Sequence, residues 1–305
     1  MKFSVGYPLA HNPRDDALMT ADFLGEFARV AEECGYHSVN VTEHPIPGNK
    51  FLDAGGHHAP DPFVTLAFAA GVTTSIGLLT NLTVVPYRNP FLLAKAAATL
   101  DRISNGRLVL GVGTGYLKPE FFALGVDFEE RNDLFDESLA VCRQVWTGGP
   151  VAVEGRHFSA RDNAALPTPV QDPLPIWIGG NAQRSRQRVA DVGQGWMPMP
   201  NPPEFAPTRR SALLEDRDDL ARMLADLETR RREAGRTDAV DVMFMAFDPA
   251  LPGTGEWDAG GHRDEVRANA DLGVTWHQIT PSGATGDDVL DVVRRYADDV
   301  VSQMS

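Results

Sequence analysis

Hydrophobic side chains in this chain alternate between short continuous runs and longer segments with helical spacing. Residues 107–112 are nearly all apolar, as expected for a parallel strand that is buried on both faces. Residues 20–34 instead place Phe23 and Phe27 on one helical face, and Gly35 follows as a stop signal. Because segments of these two kinds follow one another, the pattern predicts an α/β fold.

Eight strand segments are recognisable in this pattern, and a helical segment follows each. The predicted strands are residues 2–7, 38–41, 76–85, 107–113, 175–180, 196–199, 240–247 and 274–280. The predicted helices are residues 20–34, 61–74, 90–103, 131–147, 182–192, 215–234, 261–271 and 287–303. Eight such repeats in 305 residues predict a (β/α)8 TIM barrel with insertions, and an open doubly wound sheet is the main alternative.

An irregular segment interrupts the repeats at residues 151–173. Residues 155–158 are typical of a hairpin turn, and three prolines stiffen the chain that follows. No change of composition divides the sequence, so residues 1–305 are predicted to form one domain that carries this segment as an insertion. The insertion and the loops after strands two, four and six are expected to shape the substrate pocket.

Charge and composition narrow the range of partners. The formal net charge of −14 opposes binding to nucleic acid and to anionic membranes. No apolar run reaches the roughly 20 residues of a membrane span, and the first residues lack the apolar core of a signal peptide. Cys34 and Cys142 have no metal-site spacing, so we expect a reducing, cytoplasmic compartment. A phosphate-bearing cofactor remains compatible because helix N-termini hold anions locally.

In a TIM barrel the active site lies at the carboxyl ends of the strands, so those positions are the candidates for chemistry. Glu43 and His44 follow the second strand, where an imidazole can donate a hydrogen bond or carry a proton near neutral pH. The alternative is a histidine that only caps a loop. His57 and His58 lie in the next loop, but no third ligand is evident. We therefore expect no metal and place these two residues at the mouth of the substrate cleft.

Polar or glycine-rich segments follow strands three, four and five. Asn81 needs a polar partner, which either a cofactor edge or ordinary strand contacts would supply. Residues 111–115 do not form the GxGxxG fingerprint, and no acidic residue follows at the ribose position, so a Rossmann dinucleotide site is disfavoured. Gly179 and Gly180 lead into a helix whose N–H groups and dipole predict a phosphate cradle.

Several motifs resemble the luciferase-like flavin and deazaflavin oxidoreductases, the family with the fold of bacterial luciferase. In chain order they are Glu43-His44, IGLLTNLTVVPYRNP (76–90), LDRISNGRLVLGVGTGY (100–116), PLPIWIGGNAQRS (173–185) and GQGWMPM (193–199). The motifs cover most of the chain, and the one at 100–116 is the most specific. The resemblance implies a (β/α)8 barrel that binds coenzyme F420 or FMN at the carboxyl ends of its strands, and it favours a homodimer.

The resemblance also implies roles for individual residues. His44 would act as hydrogen-bond donor or proton relay at the reactive edge, and Tyr116 would shape the substrate side. Asn81-Leu82 matches a bulge that in this family often holds a non-prolyl cis peptide bond behind the ring, and the Asn81 amide is expected to donate to the ring. The residues implied to contact the cofactor are Glu43, Asn81, Leu82, Thr114, Gly115, Gly179, Gly180, Asn181 and Arg184. Glycine at position 115 would let the backbone approach the ring or its ribityl chain.

Three functions are compatible with this resemblance. The first is an F420-dependent oxidoreductase that transfers hydride between the deazaflavin and a small organic substrate, with Arg88 and the arginines after Gly180 as candidate cations for the glutamate tail. The second is an FMN-dependent monooxygenase supplied by a separate reductase, and the third is a non-catalytic flavin-binding barrel. Related F420-dependent sugar-phosphate dehydrogenases have a tryptophan in place of Gly48 and a glutamate in place of Tyr116. These departures argue against sugar-phosphate dehydrogenation.

Overall fold

Eight parallel strands form a closed ring at the centre of the molecule. The computed structural model describes residues 1–8 and 16–304. The barrel strands, numbered in chain order, are β1 Lys2–Gly6, β2 Ser38–Val41, β3 Gly77–Thr80, β4 Leu108–Gly113, β5 Ile176–Gly179, β6 Gly195–Met197, β7 Asp241–Phe244 and β8 Trp276–Ile279. β1 pairs with β2 and with β8, and β3 pairs with β4, so the ring has no open edge. The predicted (β/α)8 barrel is confirmed, and the open sheet is wrong.

A helix follows each strand and covers the outside of the ring. These helices are Ala21–Glu33, Pro62–Val72, Pro90–Ile103, Arg131–Trp146, Gln183–Val192, Arg217–Glu233, Ala259–Asp271 and Gly286–Tyr296, the last continuing through a π-helical turn, Ala297–Val301, into Ser302–Met304. Their apolar faces meet the strands in one continuous core that includes Phe27, Leu66, Leu93 and Phe135. Short helices that the sequence pattern did not predict lie in the loops after β2, β4 and β6: Asn49–Asp53, Lys118–Ala123 and Ala206–Arg209. Among the described residues, no helix is both long enough and apolar enough to span a membrane.

The third strand is shorter than predicted because the chain breaks its ladder at the bulge. β3 ends at Thr80, the Asn81–Leu82 peptide bond is cis, and Thr83–Val84 forms a separate short ladder with the end of β4. A 3-10 turn, Val85–Tyr87, follows. The strands approach closely here, since a Cβ atom on Gly111 would lie 1.9 Å from the carbonyl oxygen of Thr80.

The segment at residues 151–173 contains the predicted hairpin, with antiparallel strands Val151–Glu154 and Ser159–Asn163. Its later part lies against the amino-terminal end of β4. Asp101 accepts hydrogen bonds from the backbone N–H groups of Val170 and Gln171, and the Gln171 side chain donates to the carbonyl of Leu108. This later part therefore lies opposite the active-site end of the barrel. The hairpin turn instead lies beside the start of the helix Arg131–Trp146, where His157 Nε2 is 3.2 Å from Glu130, and its part in shaping the pocket stays a prediction.

Candidate active site

His44 lies just beyond the carboxyl end of β2, under a cluster of aromatic rings. Its ring centroid is 5.0 Å from that of Phe51, 4.9 Å from that of His57 and 6.2 Å from that of Tyr116. Only 8% of the His44 surface remains exposed. The loops after β2 and β4 thus bring together His44 and Tyr116, the two residues predicted to act on the substrate.

A buried carboxylate lies behind His44. Glu120 Oε2 is 3.4 Å from His44 Nδ1, and Glu120 is 1% exposed. The same oxygen accepts a hydrogen bond of 2.9 Å from the Tyr87 hydroxyl, whose pKa is raised by burial and by the charge of Glu120. The backbone N–H of Ile46 lies 3.4 Å from the other carboxylate oxygen. Sequence reasoning missed Glu120, although its place in the loop after β4 was a signal that it could reach the site.

His57 is a neutral member of the aromatic cluster. Burial, reinforced by the neighbouring His44, lowers the pKa of His57 to about 4. The ring therefore carries no charge near neutral pH and contributes shape and an apolar surface to the cleft mouth. Within the described ranges, no three His, Cys, Asp or Glu side chains are grouped so that they could hold a metal ion.

Glu43 lies beneath the cleft and supports it. The backbone N–H of Val84 donates to Glu43 Oε2 over 2.6 Å, and Arg88 Nε donates to Oε1 over 3.0 Å. A second Arg88 nitrogen contacts the same oxygen and also Asp61 Oδ2 at 2.7 Å. Burial raises the pKa of Glu43 although Arg88 opposes this shift. Through these contacts Glu43 anchors the bulge, and two carboxylates already neutralise Arg88. A contact between Glu43 and a cofactor stays a prediction.

The bulge fills the upper part of the barrel. Asn81 Nδ2 donates to Asn40 Oδ1 over 3.2 Å and to Gln278 Oε1 over 2.6 Å, so this amide group is used inside the barrel and not by a ring. The Leu82 side chain fills the space beside two glycines. A Cβ atom added to Gly113 would lie 2.5 Å from Leu82 Cδ1, and one added to Gly179 would lie 2.2 Å from Leu82 Cδ2. A cluster of buried apolar side chains from β3, β5, β6, β7 and β8 packs against Leu82: Leu79, Trp177, Met197, Met243 and Trp276.

The glycine at position 115 serves internal packing. Its φ is +74°, and a Cβ atom there would lie 2.6 Å from Val84 Cγ1 and 3.0 Å from Phe121 Cε2. Protein side chains therefore occupy the position that a Cβ atom would take, and the approach of a cofactor to the backbone of Gly115 stays a prediction. Thr114 and Tyr116 are half-buried on either side of it.

The turn after β5 has the features of a phosphate site. Gly180 has a φ of +101°, and its N–H donates to the carbonyl of Met197. The helix Gln183–Val192 starts at Ala182 without a side-chain cap, which leaves its first N–H groups pointing toward the turn. Such a helix start, joined to a glycine turn, fits a phosphate group.

Two residues predicted to bind at this turn have other partners. Asn181 is fully buried, and its Nδ2 donates to the carbonyls of Met199 and Ala212 over 2.8 and 3.1 Å, so its side chain secures the loop after β6. Arg184 Nη2 lies 2.8 Å from Asp136 Oδ2. The arginines that follow are also paired, Arg186 with Asp226 and Arg188 with Asp136. Acidic residues on neighbouring helices therefore neutralise the arginines that the sequence offered to an anion.

Comparison with known proteins identifies the family. The family model for luciferase-like monooxygenases matches residues 1–250. The chain belongs to the luciferase-like monooxygenase family. Members of this family are enzymes, and this barrel is therefore the scaffold of an enzyme. The resemblance inferred from the motifs is confirmed.

Individual relatives are similar over most of the chain. An F420-dependent glucose-6-phosphate dehydrogenase from Beutenbergia cavernae is 31% identical over 240 residues, which are 75% of this chain and 67% of the relative. The crystal structure of monooxygenase RslO1 from Streptomyces bottropensis superposes with a TM-score of 0.80 at 24% identity over both full chains. The F420-dependent tetrahydromethanopterin reductase from Methanopyrus kandleri gives a TM-score of 0.73 at 18% identity, also over both full chains. These two structures establish the shared fold.

Proposed function

We propose that this protein is an F420-dependent oxidoreductase that transfers hydride between the deazaflavin and a small organic substrate. The observation that carries the proposal is the buried His44–Glu120 pair at the same end of the barrel as the turn that fits a phosphate. A relative at 31% identity is named as an F420-dependent dehydrogenase, which favours a deazaflavin over FMN. The first N–H groups of the helix Gln183–Val192 would hold the phosphate, and the turn at Gly180, which has no side chain, would leave room for it.

The bound deazaflavin would supply hydride chemistry at its carbon in place of N5. His44 Nδ1 faces Glu120, so the carboxylate favours a proton on Nδ1 and leaves Nε2 for the substrate side. In that position Nε2 would accept a proton from a substrate hydroxyl, or return it to a substrate oxygen in the reverse direction. Phe51, His57 and Tyr116 surround the imidazole and would exclude water from the reacting groups.

The substrate is proposed to differ from a sugar phosphate. The resemblance implies a tryptophan in place of Gly48 in sugar-phosphate dehydrogenases, and here a Cβ atom on Gly48 would already lie 3.2 Å from Pro119 Cβ. A bulky ring therefore cannot replace Gly48 without moving the loop after β4. Burial raises the pKa of Tyr116, against the opposing charge of Arg209, so a neutral phenol lies where those enzymes have a carboxylate. A small alcohol, enone or imine suits this cleft.

Titration of the purified protein with F420 and, separately, with FMN tests the proposal, with intrinsic and cofactor fluorescence as the readout. Selective F420 binding, followed by hydride transfer with a panel of alcohols, enones and imines, is the expected result. Selective FMN binding with oxygen uptake would replace the proposal with the two-component monooxygenase. Tight binding without turnover on the whole panel would indicate a non-catalytic barrel, and binding of neither cofactor would refute the phosphate turn.

A further inference from the structure

Three cationic side chains converge on one buried ring at the carboxyl end of the barrel. Lys118 Nζ lies 4.7 Å from the ring centroid of Phe128, Arg131 Cζ 3.9 Å and Arg210 Cζ 5.0 Å. They come from three different elements, namely the short helix after β4, the start of the helix Arg131–Trp146 and the loop after β6. We refer to Lys118, Arg131 and Arg210 as the Phe128 cation cluster.

The Phe128 cation cluster lacks matching negative charge. Glu129 Oε1 lies 3.1 Å from Lys118 and its other oxygen 3.9 Å from Arg131, but Glu129 is 72% exposed. Arg210 makes no ion pair with any residue in the described part of the chain. Burial and the charges of Arg210 and Arg184 lower the pKa of Arg131, with Glu129 opposing them. A local surplus of positive charge in a chain of net charge −14 is the kind of site that an anion stabilises.

The cluster lies next to the phosphate turn. The backbone N–H of Asn181 donates to Ser211 Oγ over 3.2 Å, and Ser211 directly follows Arg210. Asn201 Nδ2 donates to the carbonyl of Ser211 over 3.1 Å, which further fixes this loop. Arg210 itself has a φ of +49°, so the backbone turns sharply at the arginine. The loop after β6 thus holds a cation without a carboxylate partner beside the turn, whereas Arg184 is paired.

We propose that the Phe128 cation cluster binds the anionic tail of F420, beyond the phosphate held at the Gly180 turn. This inference rests on the proposed function. F420 continues past its phosphate into a chain of glutamates, whereas FMN ends at the phosphate, so these cations would discriminate between the two cofactors. Guanidinium groups stacked on an aromatic ring can still donate N–H groups to carboxylate and phosphodiester oxygens. Arg131 uses one such donor on the carbonyl of Phe128 over 2.8 Å.

The test compares F420 with a deazaflavin–ribitol phosphate fragment, which keeps the phosphate and lacks the glutamates. Dissociation constants are measured by fluorescence for the wild type and for three variants, Arg210→Gln, Arg131→Gln and Lys118→Gln. The Lys118 side chain is half-exposed. We expect each arginine substitution to weaken F420 binding by roughly tenfold and to leave fragment binding unchanged. Raising the salt concentration from about 50 to 500 mM should weaken F420 binding to the wild type more than to the variants.

A matched control removes an arginine outside the cluster. Arg267→Gln makes the same change of charge on the helix Ala259–Asp271, where Arg267 pairs with Asp264, and should leave both dissociation constants unchanged. Thermal melting of every variant verifies the fold. Should Arg131→Gln fail to fold, Arg210→Gln and Lys118→Gln carry the test.

The outcomes separate this inference from the proposed function. Equal weakening of F420 and fragment binding would show that the cluster acts on the ring or the phosphate. Unchanged F420 binding in both folded arginine variants would show that the cluster does not hold the tail. Either result overturns the inference and leaves the F420-dependent function intact. Unchanged F420 binding with a raised KM for an anionic substrate would assign the cluster to the substrate, which also overturns it. If the wild type binds neither F420 nor the fragment, the proposed function itself fails.

Discussion

Glu120 Oε2 lies 3.4 Å from Nδ1 of His44, and both side chains are almost entirely buried. The carboxylate belongs to the short helix after β4, whereas the imidazole belongs to the loop after β2. The contact therefore ties two loops together over the cleft and fixes which imidazole nitrogen faces the protein. Under the proposed function, Glu120 would be a positioning residue that acts through His44.

Replacing His44 by alanine should separate catalysis from binding. If Nε2 handles the substrate proton, His44→Ala should lower turnover by about 100-fold or more, while the affinity for F420 stays the same because the phosphate turn is untouched. Stopped-flow hydride transfer and fluorescence titration measure the two quantities. Unaltered turnover in this variant would exclude the proposed role.

Removing the charge behind His44 should reduce turnover with little effect on substrate binding. Glu120→Gln keeps the size of the side chain but loses the carboxylate that orients the imidazole, so kcat should fall by roughly tenfold at an unchanged KM. Glu120→Asp retains a carboxylate and should recover part of kcat. Tyr87→Phe removes one hydrogen bond to Glu120 and serves as a milder comparison. A rise in KM at constant kcat would point to a purely structural role.

The turn at Gly180 should tolerate no side chain. Gly180 has a φ of +101°, and a Cβ atom would lie 3.1 Å from Ser185 Oγ, so Gly180→Val should disrupt the turn and abolish cofactor binding. Gly71→Ala is the control, because the added Cβ in the helix Pro62–Val72 would have no atom within 4 Å beyond the adjoining residues and the local helix backbone. Fluorescence titration of both variants gives the answer. Wild-type affinity in Gly180→Val would remove the turn from the cofactor site.

The Glu43–Arg88 pair should contribute to stability. Glu43→Gln leaves the partly buried guanidinium with Asp61 as its one carboxylate partner among the described residues, and it weakens the hydrogen bond that the Val84 N–H donates. We expect the free energy of unfolding to fall by roughly 1–3 kcal/mol, measured by urea denaturation. Arg267→Gln, which breaks an exposed ion pair, should change it far less. Equal effects of the two substitutions would mean that burial adds nothing to the Glu43–Arg88 pair.

His277 should make the protein less stable in mild acid. Burial lowers its pKa to about 3, with His262 adding to the shift, whereas an unfolded histidine titrates near 6.5. Between these values the unfolded state binds a proton that the folded state does not. The free energy of unfolding therefore falls with decreasing pH, by up to about 1.4 kcal/mol per pH unit.

A variant at this position isolates the effect. The ring of His277 stacks on that of Tyr296 at 6.4 Å and meets Phe3 edge-on, so His277→Phe preserves an aromatic ring and removes the titration. Its Tm should fall less than that of the wild type between about pH 7 and pH 5, as measured by differential scanning fluorimetry. Parallel Tm curves for the two proteins would contradict this account of His277.

Much of the fold was predictable because strand and helix signals are local. The helix Pro90–Ile103 begins and ends where the pattern placed it, since Asn89 caps its first turn and Pro90 occupies its first position. β3 was predicted too long because the bulge depends on contacts with β4. The three short loop helices lack a long apolar period and follow from tertiary contacts.

The hydrophobic pattern by itself determined the order of strands and helices, and hence the barrel and the end of it that carries the site. Local glycines likewise marked the turn at Gly180. Tertiary structure alone decided which charged groups meet: Glu43 with Arg88, Arg184 with Asp136, and Glu120 with His44. Hydrophobic periodicity reflects burial along one segment of the chain. Ion pairs join loops and helices that are distant in the chain, so folding decides which charged residues remain available for chemistry.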